Sequence, residues 1–396
     1  MRREQVLAAV EREQAWLAGY GAASQDLYDF WASGYGRWAR SAYYRSAVLG
    51  SPIVAPLVLA DTLAPGTRSL VRRASMFPIA LAQYADALLR TWRMTGEPGA
   101  LDLARGQLDL LVECGSDVGG VQSWGYPFDW QTCFGTFTQG TPLITTMPYV
   151  YDAFVIAHDV TGEAKFLELA RSTALACCRL FPQVDMGDEA AASAYTPHDA
   201  RRVINASAYR GYVLADAGLR FDAAEWKAEA TRNLRFVLRE QRPDGSWPYA
   251  VDGRDGFVDN FHTCLVLKNL TRAAESVPDL PGVRDAVHCG YAFYESHLLD
   301  DKGLPLPFAV KPRLTLYDRD LYDYAEGINL AVLLEDRVDA AGPIADRLVE
   351  DLMDRWQCPD GHFRTRHTVA GWNTIPYHRW AQSQTMRALA CYAERR

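Results

Sequence analysis

Five stretches of this sequence load the start of an apolar run with ionisable and hydrogen-bonding side chains. They are Tyr149 with Asp152, Asn205 with Tyr209, and Asp259 with Asn260 and His262. Asp320, Asp323, Tyr324 and Glu326 form the fourth, and Tyr377, His378, Arg379 and Gln382 the fifth. Each run reads as a helix, and a helix start needs one capping group. Asn205, Asp259 and Asp320 suit that task. The His, Arg, Tyr and Glu side chains a turn further in exceed it, and such groups are costly in a buried helix unless paired or facing a cavity. The reading is therefore a polar pocket where the helix starts converge. Proton transfer needs a base on one face of a substrate and an acid on the other. His262, His378 and Tyr324 are the catalytic candidates, with Asp259 orienting the His262 imidazole. Arg379 and Asn205 are candidates for holding a carboxylate, and Tyr149, Asp323 and Glu326 for further substrate contacts.

Aromatic residues stand on the loops before these runs: Trp124, Tyr126, Trp130, Trp247, Tyr249, Trp372 and Trp380. Half read as plugs between helices. The others suit the apolar C–H faces of a pyranose ring. Trp124, Trp247, Tyr249 and Trp380, together with Asp129, complete the substrate-binding candidates.

The elements that position these residues recur. In 241–270 a helix ends at Arg242, Pro243-Asp244-Gly245 makes a turn, Trp247 and Tyr249 occupy a loop, and a polar-loaded helix begins. The same cassette returns at 356–390, with looser copies at 301–331 and 115–153. Gly245, Gly303 and Gly361 lie 58 residues apart (303 − 245 and 361 − 303). Between cassettes, helices apolar on most faces alternate with helices carrying one apolar stripe, a pattern of inner and outer helices. Inner starts fall near 77, 147, 205, 259, 321 and 377; outer helices are expected over 99–113, 163–181, 222–241, 283–298 and 341–356. Recurrence at a fixed period marks a repeat architecture. One outer place stays empty, and the N-terminal helices, the first over 4–19, can fill it. The predicted fold is all-α: an (α/α)6 toroid of six hairpins over 77–396, closed by N-terminal helices in 1–76. Residues 24–48 read as helical, and 50–68, with Pro52, Pro56 and Pro65, as broken structure. Short turns gather at one end of such a ring and long loops at the other, so function is expected at the long-loop mouth.

Composition removes several classes. The 396 residues are 49% hydrophobic and 23% charged, a globular balance with material for a large core. The net charge is −8 and no basic stripe appears, against nucleic-acid binding. Arg68, Arg72 and Arg73 read as a solvated helix start. The eight cysteines form no CxxC pair and read as reduced thiols. No HExxH, P-loop, GxGxxG or GxSxG is present, so no metal and no nucleotide or other cofactor is expected. The beginning, MRREQVLAAVEREQAW, reads as a charged amphipathic helix and not a signal peptide. The most apolar stretch, 47–64, holds two prolines and an aspartate and is too short and broken to span a bilayer. A soluble cytoplasmic protein is the expectation; the oligomeric state is open.

The hairpin period, RPDGSWPY before VDNFHT, and IPYHRWAQSQ before the last helix resemble six-hairpin toroid proteins of carbohydrate metabolism. That group includes glucuronyl C5-epimerases, N-acylglucosamine 2-epimerases and unsaturated glucuronyl hydrolases. YPFDWQT, RPDGSWPY, VDNFHT and the PYHRWAQ region look most like toroids encoded with polysaccharide-biosynthesis genes, over residues 75–395. The resemblance implies a cofactor-independent epimerase acting on a uronic acid or amino-sugar unit. Three alternatives stand beside it. Glycoside hydrolysis would use two carboxylates among Asp129, Asp259, Asp323 and Glu326. A non-catalytic glycan-binding or assembly protein would keep the aromatic mouth alone. A terpenoid cyclase-like enzyme would need an apolar aromatic cavity. The epimerase reading requires His262, Tyr324, His378 and Arg379 to face one cavity.

Overall fold

The computed structural model describes residues 3–253 and 256–396; residues 254 and 255 of the first cassette lie outside it. The N-terminal region contains α1 (Arg3–Tyr20), α2 (Asp29–Ala32), α3 (Gly34–Arg45), α4 (Ala47–Leu63) and α5 (Arg68–Val71). Hairpins follow: α6 (Pro78–Thr95) with α7 (Pro98–Glu113), and α8 (Met147–Thr161) with α9 (Ala164–Leu180). Next come α10 (Ile204–Arg220) with α11 (Ala224–Arg239), and α12 (Asn260–Ser276) with α13 (Val283–His297). Then α14 (Leu321–Leu334) pairs with α15 (Ala341–Arg355), and α16 (Ser383–Arg395) ends the chain.

Local chemistry sets these boundaries. Helices α6 and α8 each carry a proline in the first turn and stop on a left-handed glycine, Gly96 and Gly162. Asp259 caps α12 by accepting from the His262 amide, and Asp320 caps α14 by accepting from that of Tyr322. The even-numbered helices α6 to α16 pack side by side, and α16 returns to α6, which closes the inner ring. Each is backed by its outer partner, and α1 backs α16. The seam is specific: the Gln357 side-chain amide donates to the Ala9 carbonyl at 3.0 Å. Residues 3–20 are thus a structural part of the ring and fill its sixth outer position. No single helix among the described residues is long and apolar enough to cross a membrane.

Three details depart from the sequence reading. Residues 24–48 are not one helix: Ser33 leaves the helical conformation and caps α3 through the Gly36 amide. Residues 47–63 form one helix despite Pro52 and Pro56. These prolines lie four apart on an exposed face, where the carbonyls they leave unbonded meet water. The last inner helix starts at 383 rather than 377, because Arg379 is extended and Trp380 is left-handed (φ 59, ψ 37).

The long loops before the inner helices carry short antiparallel ribbons. Trp130–Thr132 pairs with Gly135–Phe137, and Gln183–Gly187 with Ala190–Ser193. Val258–Asp259 pairs with Phe308–Val310, which ties the start of α12 to the loop before α14. Arg366–Thr368 lies between Gly371–Asn373 and Tyr317–Asp320. These ribbons surround the mouth.

Candidate active site

At the start of α12, Asp259 does more than cap. Its two carboxylate oxygens lie 2.9 and 2.7 Å from His262 Nδ1. A carboxylate only accepts, so Nδ1 carries the hydrogen, which leaves Nε2 as the ring atom able to present a lone pair. Nε2 has no hydrogen-bond partner among the described residues. The ring is 21% exposed and packs against Tyr249 and Phe261, with centroids 4.7 and 4.1 Å away. Asn205, Trp247, Tyr249, Phe257, Asp259 and His262 line one crevice of about 10 Å³. Asn205 is buried there with an unpartnered side-chain oxygen. One helix over, Asp323 is buried with one carboxyl oxygen unpartnered. Burial, followed by the charges of Asp320 and Asp259, raises its carboxyl well above the usual range and favours the neutral acid.

The other candidates are dispersed. The hydroxyl of Tyr324 donates to Asp351 of α15 at 2.7 Å, and its ring packs on Trp356. It faces the outer helix, because one residue along a helix turns a side chain by about 100° from its neighbour. His378 is 1% exposed. Its Nδ1 is 2.7 Å from the Tyr84 hydroxyl and its Nε2 2.9 Å from the Gly21 carbonyl. Burial lowers its pKa to about 4, against the raising effect of the Gly21 bond. Arg379 is fully buried and forks onto both oxygens of Asp26, with Nε at 2.8 Å. Tyr126 and Trp380 cover the guanidinium faces, with ring centroids 4.3 and 3.8 Å away. The N-terminal segment therefore takes His378 and Arg379 out of any shared cavity with His262. The expected four-residue cavity does not form.

The aromatic residues divide as well. Trp124 and Trp247 are buried plugs, each donating at 2.8 Å to the end of the preceding outer helix, at Leu111 and Val237. Trp380 stacks on Tyr322, which in turn packs on Phe261 beside His262. Its left-handed backbone is a strained conformation for a bulky residue and points the ring into this cluster. Asp129 lies at the rim, 3.3 Å from Arg37.

Tyr149 meets Tyr209 hydroxyl to hydroxyl at 3.0 Å between neighbouring inner helices. Both tyrosines line a cavity of about 290 Å³ formed mainly by later turns of the inner helices. Its charges are engaged with one another. Arg272 forks onto Asp152 at 2.6 and 2.9 Å, Arg387 bridges Asp86 and Asp152, and Lys268 pairs with Glu326. All of the inner helices except α10 contribute a charge, and α10 adds the Tyr212 hydroxyl, 2.7 Å from Asp152. This network ties the ring together. Asp86, Arg90, Lys268, Arg272 and Arg387 are not among the residues singled out from the sequence. The signal was available as ionisable residues four apart, Asp86/Arg90 and Lys268/Arg272, within inner helices.

Cys358, Asp360 and His362 come within 4.8 Å of one another. His362 nevertheless binds Asp360 through Nδ1 at 2.7 Å and the Thr374 carbonyl through Nε2 at 2.9 Å, leaving no ring nitrogen for an ion.

No family model and no curated protein matches the sequence. Solved structures do match the fold. Cellobiose 2-epimerase from Bacillus thermoamylovorans B4167 superposes with a TM-score of 0.63 at 10% identity, over 81% of this chain and 88% of that one. Unsaturated glucuronyl hydrolase from Bacillus sp. GL1 gives 0.63 at 11% identity, over 98% and 96%. D-mannose isomerase gives 0.60 at 13% identity, over 80% and 86%. The chain has the (α/α)6 toroid fold that these carbohydrate enzymes share.

Proposed function

We propose that this chain is a carbohydrate-active enzyme that moves a proton on a sugar: an epimerase of a uronic acid or related unit, working without an added cofactor. The observation that carries the reading is the Asp259–His262 pair, with both carboxylate oxygens on Nδ1 and Nε2 left open beside an aromatic wall. Nε2 takes the proton from the carbon next to a carbonyl or carboxylate. The electron pair passes into the enolate, and a proton returned to the opposite face completes inversion. Asp323 supplies a neutral acid on the neighbouring helix start. The crevice is too small for a sugar ring, so substrate entry requires the Tyr249 and Phe257 side chains to move off His262. The fold shared with cellobiose 2-epimerase and D-mannose isomerase supports this class of chemistry.

A second reading, glycoside hydrolysis, draws on the same acid. Asp323, its carboxyl raised by burial and then by its Asp320 and Asp259 neighbours, offers a general acid within a cluster of carboxyl groups, the kind of set that hydrolysis uses. The fold shared with unsaturated glucuronyl hydrolase supports it.

One experiment separates them. Cellobiose, mannose and uronic-acid glycans are incubated with the protein in heavy water and followed by NMR. Deuterium on a ring carbon without new reducing ends supports epimerisation. New reducing ends support hydrolysis. Neither change on any substrate rejects both.

A further inference from the structure

We propose that the α3–α4 hairpin is a docking surface for an anionic lipid bilayer. Helix α4 is apolar over almost its whole length, with Asp61 its one charged residue, yet only Gly50 of its 17 residues is buried. Val48, Pro52, Ala55, Pro56, Leu59 and Leu63 follow helical spacing, and all are exposed. Val48 is 83% exposed, Leu49 74% and Leu63 65%, and Leu70 on the following short helix is 86% exposed. Tyr35 and Trp38 extend the face from α3 and are about half exposed. A contiguous apolar face of this kind marks a contact surface.

Charge selects the occupant. Residues 34–73 hold six arginines and one acid, Asp61, a net of +5, while the whole chain is −8; the remainder is therefore −13 (−8 − 5). Some of that charge is neutralised, since Arg68 pairs with Asp61, Arg37 with Asp129 and Arg72 with Asp29. Arg40, Arg45 and Arg73 make no ion pair among the described residues, and Arg45 and Arg73 are exposed. An apolar stripe with Trp and Tyr beside it and arginines at its edges is the composition of a helix lying in a headgroup layer. Self-association through a two-fold axis would set one net-positive patch against another. At 17 residues α4 is about 25 Å long and carries two prolines, which suits lying on a bilayer rather than crossing it. The hairpin also contacts the Trp130–Thr132 strand, so docking brings the bilayer close to the mouth.

The test is flotation of the full chain with vesicles of phosphatidylcholine, alone or mixed with phosphatidylglycerol. Binding to the mixed vesicles, weakened by salt, is expected. The triple variant Leu49→Glu, Leu59→Glu, Leu63→Glu should lose at least tenfold in partitioning. Arg45→Glu with Arg73→Glu should remove the preference for anionic vesicles. These side chains are exposed, so the melting temperature of each variant should match the parent, which separates loss of docking from loss of fold. Absence of vesicle binding overturns the proposal, whether the face then proves to hold an acidic protein or nothing. So does a dimer, seen by light scattering, that the triple variant dissolves. Equal binding to both vesicle types overturns the anionic assignment.

Discussion

His262 and His378 stand at equivalent places in the sequence, each at the start of an inner helix after an aromatic loop, but the fold gives them opposite situations. His262 keeps one nitrogen open, is partly exposed and has its other nitrogen fixed by a carboxylate. His378 has both nitrogens engaged, by Tyr84 and Gly21, inside a cage with Trp16 and Tyr20. What separates the proposed base from a structural imidazole here is an unengaged nitrogen beside a crevice, not residue type or position in the repeat.

The largest effect is expected from removing the proposed base. His262→Ala should lower deuterium exchange by about 10²- to 10⁴-fold, the usual contribution of a positioned base. Its stability in urea should fall by about 1–3 kcal/mol, because the buried Asp259 carboxylate loses its ring partner. Full exchange activity in this variant would put the base elsewhere.

On the His378 side the effect should be structural. Asp26→Ala leaves the Arg379 guanidinium buried without its carboxylate, which should cost about 3–5 kcal/mol in urea unfolding. A loss below about 1 kcal/mol would mean that the N-terminal segment is not locked in this way.

The pH dependence follows from His378. Its pKa is lowered from 6.5 to about 4 by burial. Above about 6.5 both folded and unfolded chains carry the neutral ring, and stability is at its full value. As pH falls from about 6.5 to 4, only the unfolded chain takes up the proton, and stability drops by about 3 kcal/mol. Glu13, whose carboxyl is raised by burial, works in the opposite sense. Subtracting the His378→Gln curve from the parent curve removes that contribution. Parallel curves between pH 7 and 4 would show that His378 does not resist protonation.

The smallest effects are expected at the turn glycines of the repeated cassette. A Cβ at Gly245 would stand 2.3 Å from the Cys289 carbonyl oxygen, and one at Gly361 2.3 Å from that of Arg12, both rigid backbone. At Gly303 the nearest atom is 3.0 Å away, at the end of the Arg347 side chain. All three have positive φ. Gly303→Ala should therefore cost only the left-handed penalty, about 1–2 kcal/mol. Gly245→Ala and Gly361→Ala should cost more. Equal losses in thermal melts at all three would show that the close approaches at the first and third turns relax.

Much of the ring was legible in the sequence because it follows from local rules. Apolar periodicity, proline starts, glycine stops and the caps Asp259 and Asp320 act over a few residues and fix the hairpins. The repeat then left one outer position for the first helix. The Asp259–His262 pair was legible for the same reason, since three residues along a helix start bring two side chains together. Tyr324 needed the direction of the axis: with Asp323 turned inward, its neighbour points to the outer layer. His378 and Arg379 needed contacts that no local pattern carries. The Arg379–Asp26 pair joins residues 353 positions apart, and the left-handed Trp380 that admits it is held by Tyr28, Tyr126 and Tyr322 from three separate elements. Sequence determined which residues begin each helix, because helix-start chemistry is local. Tertiary structure decided which of them keep a free polar atom facing space, because that depends on what the rest of the chain packs against them.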